Sequence, residues 1–198
     1  MSDKWNQRYA QQNSLPATNP LLSEFSHLLP TDGSALDLAC GLGQNAFFLA
    51  KHGLNLEAWD SSEVAIAAVN SHASMYGLTV KGRCLDVTQR WPASSFDLIY
   101  VSAYLQRDLC PQIIRSLKPG GILFYQTFNQ VPLVGKPKNP DYLLQPGELL
   151  ALFSDLLPVV YLDEQENHSA NRYPSLAGKA LLIARKPINL ETAVEKMN

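Results

Sequence analysis

The sequence lacks the features that mark secreted, membrane-spanning and metal-chelating proteins. Its three cysteines are far apart and form no CxxC pair, so we expect no disulfide framework, no metal site and a reducing, cytoplasmic environment. No stretch reaches the ~18–20 apolar residues of a membrane-spanning helix. Residues 1–7 contain no apolar run either, so we expect neither a membrane anchor nor a signal peptide.

A strong charge imbalance is also missing. The chain has 16 basic and 18 acidic side chains and a formal net charge of -2, so we expect no electrostatic attraction to nucleic acid or to an anionic membrane. Its 198 residues suffice for one well-buried core. We predict a single domain, with a helical cap over 1–30, a ligand-binding core over 34–128, and a lid loop, helix and terminal strands over 129–198. Both a monomer and a homodimer are compatible with this sequence.

Apolar strands alternate with amphipathic helices along most of the chain. The predicted strands are 35–39, 54–60, 79–85, 96–102, 122–128, 158–165 and 179–186, the last two close enough to pair antiparallel. The predicted helices are 4–11, 19–29, 44–52, 62–76, 106–118 and 147–154, with a turn at Pro119-Gly120-Gly121. This order predicts an α/β fold: a doubly wound, mostly parallel, Rossmann-like sheet with a C-terminal antiparallel strand pair, covered by helices on both faces.

Three aspartates lie at the ends of successive predicted strands. Asp37 ends the first, Asp60 ends the second and Asp86 follows the third. Because ligands of such sheets bind at the carboxyl ends of the strands, we expect these carboxylates to converge on one rim beside Gly41-Leu42-Gly43. The two glycines let a ligand approach the backbone closely. With Ala46 they also fit a relaxed dinucleotide fingerprint.

A phosphate-bearing ligand suits this rim poorly. Two like unit charges ~4 Å apart repel by about 4 kcal/mol at an effective dielectric constant of ~20. S-adenosylmethionine (SAM) carries a sulfonium, an ammonium and a ribose diol, and no phosphate. We therefore predict that Asp37 favours its cationic methionyl end and that Asp60 accepts from both ribose hydroxyls. Asp86 would accept from the adenine amino group, with Val87 against the ring.

The segment Leu36-Asp37-Leu38-Ala39-Cys40-Gly41-Leu42-Gly43 resembles the first motif of the class I SAM-dependent methyltransferases. Ala39 stands where that family usually has its first glycine, and we expect it to keep strand or right-handed backbone geometry. Further matches follow in the family's order at Trp59-Asp60, Leu85-Asp86-Val87, Phe96-Asp97-Leu98-Ile99-Tyr100 and Leu117-Lys118-Pro119-Gly120-Gly121. The resemblance implies SAM as the cofactor and S-adenosylhomocysteine (SAH) as its product.

Four shorter segments, 3–9, 44–50, 104–107 and 178–180, resemble the tellurite-resistance-like methyltransferases. In those relatives the leading Trp and Arg segment closes over the cofactor, which implies that role for Trp5 and Arg8. The predicted cofactor site comprises Trp5, Arg8, Asp37, Ala39, Gly41, Gly43, Asn45, Asp60, Ser61, Asp86, Val87, Ser102 and Leu105.

The methyl acceptor is predicted to be a small molecule: a thiol, a metalloid species or another small nucleophile. Methyl transfer is an in-line displacement that needs the acceptor ~3–3.5 Å from the methyl group, and a soft anionic acceptor needs little help from a base. No general base is evident in the sequence. Tyr104, Phe128 and His168 are the predicted pocket residues, with 129–145 as a lid or a plain surface loop.

Two alternatives remain open on the sequence alone. A SAM-binding module with little catalysis would also carry the acidic rim and the glycine turn. An NAD-dependent oxidoreductase would use the same glycines and Asp60, but it leaves Asp37 facing phosphate and assigns no residue to hydride transfer.

Overall fold

The computed structural model of the chain describes residues 2–167 and 172–188. The strands in this part of the chain are β1 (Ser34–Leu38), β2 (Asn55–Asp60), β3 (Val80–Cys84), β4 (Phe96–Ser102), β5 (Leu117–Phe128), β6 (Leu157–Asp163) and β7 (Lys179–Arg185). The α-helices are α1 (Ser2–Ala10), α2 (Pro20–Glu24), α3 (Gln44–Lys51), α4 (Glu63–Tyr76), α5 (Cys110–Ser116), α6 (Glu148–Leu152) and α7 (Glu164–Asn167).

All seven strands join one sheet in the order β3-β2-β1-β4-β5-β7-β6. The first five are parallel to one another, and β7 runs antiparallel to both of its neighbours. The predicted fold class is therefore confirmed, including the antiparallel pair of the last two strands. The order reverses between β1 and β4, which places the topological switch point at their carboxyl ends.

Two apolar clusters cover the two faces of the sheet. Side chains alternate along each strand, so Ala35 belongs to one cluster and its neighbour Leu36 to the other. The first cluster packs α2, α3 and α4 on the sheet, and the second packs α5 and α6 on the opposite face. Both faces of β1 are thus buried, and its carboxyl end is the part left for a ligand.

Two predicted element boundaries are wrong. The helix expected over 19–29 breaks at Phe25, where α2 gives way to a single 3-10 turn, Ser26–Leu28. The predicted turn at Pro119-Gly120-Gly121 lies inside β5, which begins at Leu117. Gly120 has a left-handed φ of 78°, as a turn would require. However, its N–H donates to the Lys186 carbonyl and the Lys186 N–H donates to the Gly121 carbonyl, so this stretch pairs with the chain that follows β7.

Helix α4 begins and ends as its sequence predicts. The Ser62 hydroxyl accepts from the Ala65 N–H at the N-terminus, and Gly77 ends the helix in the left-handed region, as capping residues do. None of the helices among residues 2–167 and 172–188 combines the length and the apolar character that a membrane crossing demands.

Candidate functional site

The turn from β1 into α3 contains three left-handed residues close together. Ala39 has φ 56°, Gly41 has φ 55° and Gly43, the N-cap of α3, has φ 81°. The prediction that Ala39 keeps strand or right-handed geometry is therefore wrong. The turn needs the left-handed conformation at the position where the family usually has glycine, and Ala39 adopts it at a cost of roughly 1–2 kcal/mol.

We expect Ala39→Gly to raise the free energy of unfolding by roughly 0.5–1 kcal/mol, because glycine has no Cβ to strain this turn. Chemical denaturation measures the change. Ala67→Gly is the control: Ala67 is exposed in the middle of α4, where glycine should lower stability by about 1 kcal/mol. A loss of stability in both variants would contradict the assigned backbone geometry of Ala39.

Asp60 ends β2 and holds the glycine turn in place. One carboxylate oxygen accepts from the Gly41 N–H at 2.9 Å, and the other accepts from the Ser62 N–H at 2.9 Å. The side chain is buried, and burial raises its pKa while hydrogen bonds from the Ser62, Gly41 and Ser61 backbone oppose that rise. A carboxylate has about four lone-pair sites, so each oxygen can still accept a hydroxyl hydrogen from a ligand.

Asp37 lies beneath the start of α3 and is 1% exposed. Burial raises its pKa to about 8; a hydrogen bond from the Ala46 backbone opposes this, and the nearby Asp60 charge adds to it. Its Oδ2 is buried and has no hydrogen-bond partner among the described residues. An unsatisfied buried oxygen of this kind is costly, so the site has an acceptor to which a ligand cation could donate.

Helix α1 contributes a tyrosine to this turn that the sequence reasoning missed. The Tyr9 hydroxyl lies 2.9 Å from the position that a Cβ would take at Gly41. Burial raises the pKa of Tyr9, and the Asp60 charge raises it further. Asn6 docks α1 on α4, since its Oδ1 accepts from the Ser62 hydroxyl at 2.6 Å. The i, i+4 spacing of Trp5 and Tyr9, which stack at 5.8 Å, was the available signal.

Of the two predicted residues of this helix, Trp5 is partly buried beside Tyr9 and Arg8 lies toward solvent. Arg8 is exposed, and its guanidinium carbon lies 5.2 Å from the centre of the Trp5 ring. In the described ranges, Arg8 forms no ion pair with a carboxylate. The cofactor role of these two residues stays a prediction, and Tyr9 is the α1 side chain in contact with the glycine turn.

A second missed residue, Asn19, links the N-terminal segment to the switch point. Its Oδ1 caps α2 at the Leu21 N–H, as the Asn-Pro sequence before a helix would suggest. The sequence could not show that its Nδ2 also donates to the Tyr100 hydroxyl at 2.9 Å and to Gln126 Oε1. The side-chain oxygen of Asn45, a predicted site residue, accepts a hydrogen bond from the Asn19 N–H at 3.0 Å. This polar network fixes the chain across the ends of β4 and β5.

Asp86 lies half-buried after β3 and holds its own turn. Its Oδ1 accepts from the Thr88 hydroxyl at 2.6 Å and from the Thr88 N–H at 3.0 Å, and these bonds lower its pKa. Val87 is partly buried against the second apolar cluster. Ser61 lies between Asp60 and the start of α4, and its carbonyl accepts weakly from the Cys84 thiol. The adenine roles of Asp86 and Val87 stay predictions.

The residues after β4 divide between the polar network and the core. The Ser102 hydroxyl donates to Gln126 Oε1 at 3.3 Å, whereas Leu105 is buried in the second apolar cluster. Tyr104 is partly buried, and burial raises its pKa to about 12, with the Asp86 and Asp60 charges adding to the effect. Phe128 ends β5. His168 falls outside the described residues.

The 129–145 segment is tied down at several points. Leu144 is fully buried and forms a bridge with Asn129. Arg107 donates to the Asp141 carbonyl at 2.6 Å and pairs with Glu148 at 2.6 Å. Lys136 donates to three backbone carbonyls of its own loop. Whether the segment acts as a lid stays a prediction.

An open cleft lies elsewhere, at the amino ends of the strands. It has a volume of about 540 Å³, and Ser34, Asn55, Val80 and Phe96 line part of it. Ligands of open α/β sheets bind at the opposite edge, and none of the buried aspartates lines this cleft. In the described part of the chain, no three His, Cys, Asp or Glu side chains cluster in a way that could hold a metal ion.

Comparisons with known proteins find methyltransferases similar to this chain. Residues 35–121 match the methyltransferase-domain family. Ubiquinone biosynthesis O-methyltransferase of Coxiella burnetii is 32% identical over 136 residues, which cover 65% of this chain and 58% of that protein. The match to TehB of Haemophilus influenzae, a probable SAM-dependent methyltransferase, is 30% identical over 86 residues, 42% of this chain and 30% of that protein. Residues 35–121 thus resemble the methyltransferase domains of known proteins.

Solved structures of methyltransferases share the fold of this chain. The crystal structure of TehB superposes with a TM-score of 0.73 at 18% identity, covering 92% of this chain and 67% of that one. The N-methyltransferase NodS of Bradyrhizobium japonicum in complex with SAH gives a TM-score of 0.68 at 18% identity, covering 94% of this chain and 98% of that one. The resemblance predicted from sequence is thus confirmed. The chain spans about 58% of the length of the first curated relatives it matches.

Proposed function

We propose that this chain is a SAM-dependent methyltransferase that acts on a small-molecule acceptor. The observation that carries the proposal is the buried Oδ2 of Asp37, which has no donor among the described residues. This oxygen lies beside a left-handed glycine turn that Asp60 braces from the next strand. A cationic ligand group would supply the missing donor and would stabilise the carboxylate form of Asp37.

The residues at this edge suit each part of SAM. Asp37 would accept from the ammonium of the methionyl end, beside the turn at Gly41, where the absence of a side chain leaves room for the Tyr9 hydroxyl. Asp60 would accept from the ribose hydroxyls with lone pairs that its two backbone bonds leave free. Asp86 and Val87 would lie against the adenine. SAM, when bound, supplies an electrophilic methyl group on its sulfonium.

The chain's remaining contribution is to position the acceptor. Tyr104, Phe128 and Lys179 lie at or near the carboxyl ends of β4 and β5, where the predicted pocket opens. Because no base is assigned, the expected acceptors are thiols, metalloid species and other nucleophiles that react without strong proton abstraction. The O- and N-methyltransferase names among the comparisons widen the set of acceptors to test to small phenols and amines.

Calorimetry with SAM and with NADH tests the cofactor. We expect SAM and SAH to bind, and NADH to bind weakly or not at all, because its pyrophosphate would offer the unpaired Asp37 oxygen neither a cation nor a hydrogen-bond donor. Tight NADH binding without SAM binding would contradict the proposal and favour an oxidoreductase.

A screen of acceptors tests catalysis separately. Thiols, selenite, metalloid oxyanions, small phenols and small amines are incubated with SAM, and SAH release is followed by mass spectrometry. Turnover of any of them eliminates a passive SAM-binding module. SAM binding without SAH release across the whole screen would favour that module instead.

A further inference from the structure

We propose that Lys179 selects methyl acceptors that carry a negative charge, by pairing its ammonium with that charge beside the Phe128 ring. The inference rests on the proposed function and names a substrate class for the same site. It concerns a residue that is neither part of the SAM rim nor among the pocket residues predicted from sequence.

The topology places Lys179 at the ligand edge of the sheet. It is the first residue of β7 and lies opposite Phe128, the last residue of β5. Because β7 is antiparallel to β5, its first residue lies at the carboxyl ends of the parallel strands. The Lys179 Nζ is 5.8 Å from the centre of the Phe128 ring. A ligand paired with this ammonium would therefore also lie beside the Phe128 ring.

The surroundings of Lys179 join it to the network at the switch point. Its Nζ donates to the Ser175 carbonyl at 3.1 Å. Gln126 Nε2 donates to the same carbonyl at 3.3 Å, and Gln126 Oε1 accepts from Asn19 and Ser102. Lys179 and Gln126 thus share the Ser175 carbonyl as an acceptor, so an anion bound by Lys179 would lie close to the carboxyl ends of β4 and β5.

The ammonium of Lys179 lacks the multiple bonds or the ion pair that three other lysines make. Lys136 and Lys186 each donate to three backbone carbonyls, and Lys118 pairs with Asp97 at 2.7 Å. Lys179 has three N–H donors and one hydrogen bond, and none of the ion pairs in the described ranges involves it.

Burial makes this arrangement unfavourable without a ligand. Lys179 is half-buried, and the burial lowers its pKa. A partly desolvated cation without a counter-ion is costly. An anionic substituent, such as a carboxylate or an oxyanion, would supply both the charge and the missing acceptors.

The test compares binding of para-mercaptobenzoate with para-mercaptobenzamide, which has the same thiol and replaces the carboxylate with an uncharged amide of similar shape. Calorimetry is done with saturating SAH on the wild type, Lys179→Met, Lys179→Arg and the control Lys81→Met, which removes an exposed lysine of β3. We expect the wild type and Lys81→Met to prefer the benzoate by roughly tenfold or more. Lys179→Met should lose that preference, Lys179→Arg should keep part of it, and the benzamide should bind all four alike.

The inference is overturned if the wild type shows no preference for the benzoate, or if Lys179→Met keeps it. Thermal unfolding of each variant confirms that it is folded. Failure of the proposed function is visible separately, because SAH would then not bind the wild type. In that case, binding of the two benzene derivatives would be measured without SAH.

Discussion

Asp37→Asn should weaken SAM binding by roughly 100-fold to a few thousand-fold. Removing one partner of a buried charge pair costs about 3–5 kcal/mol, and Asp37 is 1% exposed with one oxygen lacking a donor. Calorimetry measures the dissociation constant. Asp155→Asn makes the same chemical change at an exposed position and should leave SAM affinity unchanged. Equal SAM affinity in the wild type and Asp37→Asn would remove the main support for the proposed function.

The same variant tests the protonation state of Asp37. With its pKa raised to about 8 by burial, Asp37 holds a proton at neutral pH when no ligand is bound. A bound cation favours the carboxylate, so SAM binding at neutral pH should release a proton from the wild type and none from this site in Asp37→Asn. Calorimetry in two buffers of different ionisation enthalpy counts these protons.

Stability should depend on pH in the direction opposite to that of a salt-bridged carboxyl. Between its ordinary pKa of 3.8 and about 8, folded Asp37 keeps a proton that the unfolded chain has released. Its contribution to the free energy of unfolding therefore falls as the pH rises through this window. We therefore expect the melting temperature of Asp37→Asn, relative to that of the wild type, to increase as the pH rises from about 5 to 8. The expected increase is ~2–4 °C for each kcal/mol of stability that the wild type loses.

Asp60→Ala should have the second-largest effect, on both binding and stability. Loss of hydrogen bonds from the ribose to a charged group should cost about 1.5–3 kcal/mol of SAM affinity. The Gly41 and Ser62 N–H groups also lose their acceptor, and an unsatisfied buried donor costs ~1–3 kcal/mol. Calorimetry and chemical denaturation measure the two effects.

A ligand pair separates the ribose role of Asp60 from its structural role. Adenosine and 2′-deoxyadenosine differ by one hydroxyl, so the wild type should prefer adenosine and Asp60→Ala should not. Asp60→Asn keeps an oxygen acceptor, so its preference for adenosine should lie between those of the wild type and Asp60→Ala. If Asp60→Ala discriminates between the two nucleosides as well as the wild type does, Asp60 supports the turn without contacting the ribose.

The sequence predicts the framework of the site because that information is local. Apolar periodicity locates β1, β2 and β4, and the rule that ligands bind at strand carboxyl ends then groups Asp37 with Asp60. The structure places these two carboxylates close enough together that the Asp60 charge raises the pKa of Asp37. No local pattern was needed beyond strand ends and two glycines.

The parts that sequence reasoning missed depend on contacts between distant segments. Tyr9 meets Gly41, and Asn19 meets Gln126 across more than half the chain. A helical pattern states which face such residues share but not what that face touches. The prediction for Ala39 is wrong for a different reason. The turn imposes a left-handed backbone conformation on this residue, against the preference of alanine.

The position of β7 has a consequence for how the chain is made. β6 pairs with β7 alone, and β7 fills the place between β5 and β6. During synthesis, the five parallel strands can assemble as soon as residue 128 has left the ribosome, whereas β6 has no partner until residues 179–185 follow. The β6–β7 pair can therefore join the sheet only after residues 179–185 are made, and the pairing of β7 with β5 places Lys179 at the carboxyl ends of the parallel strands.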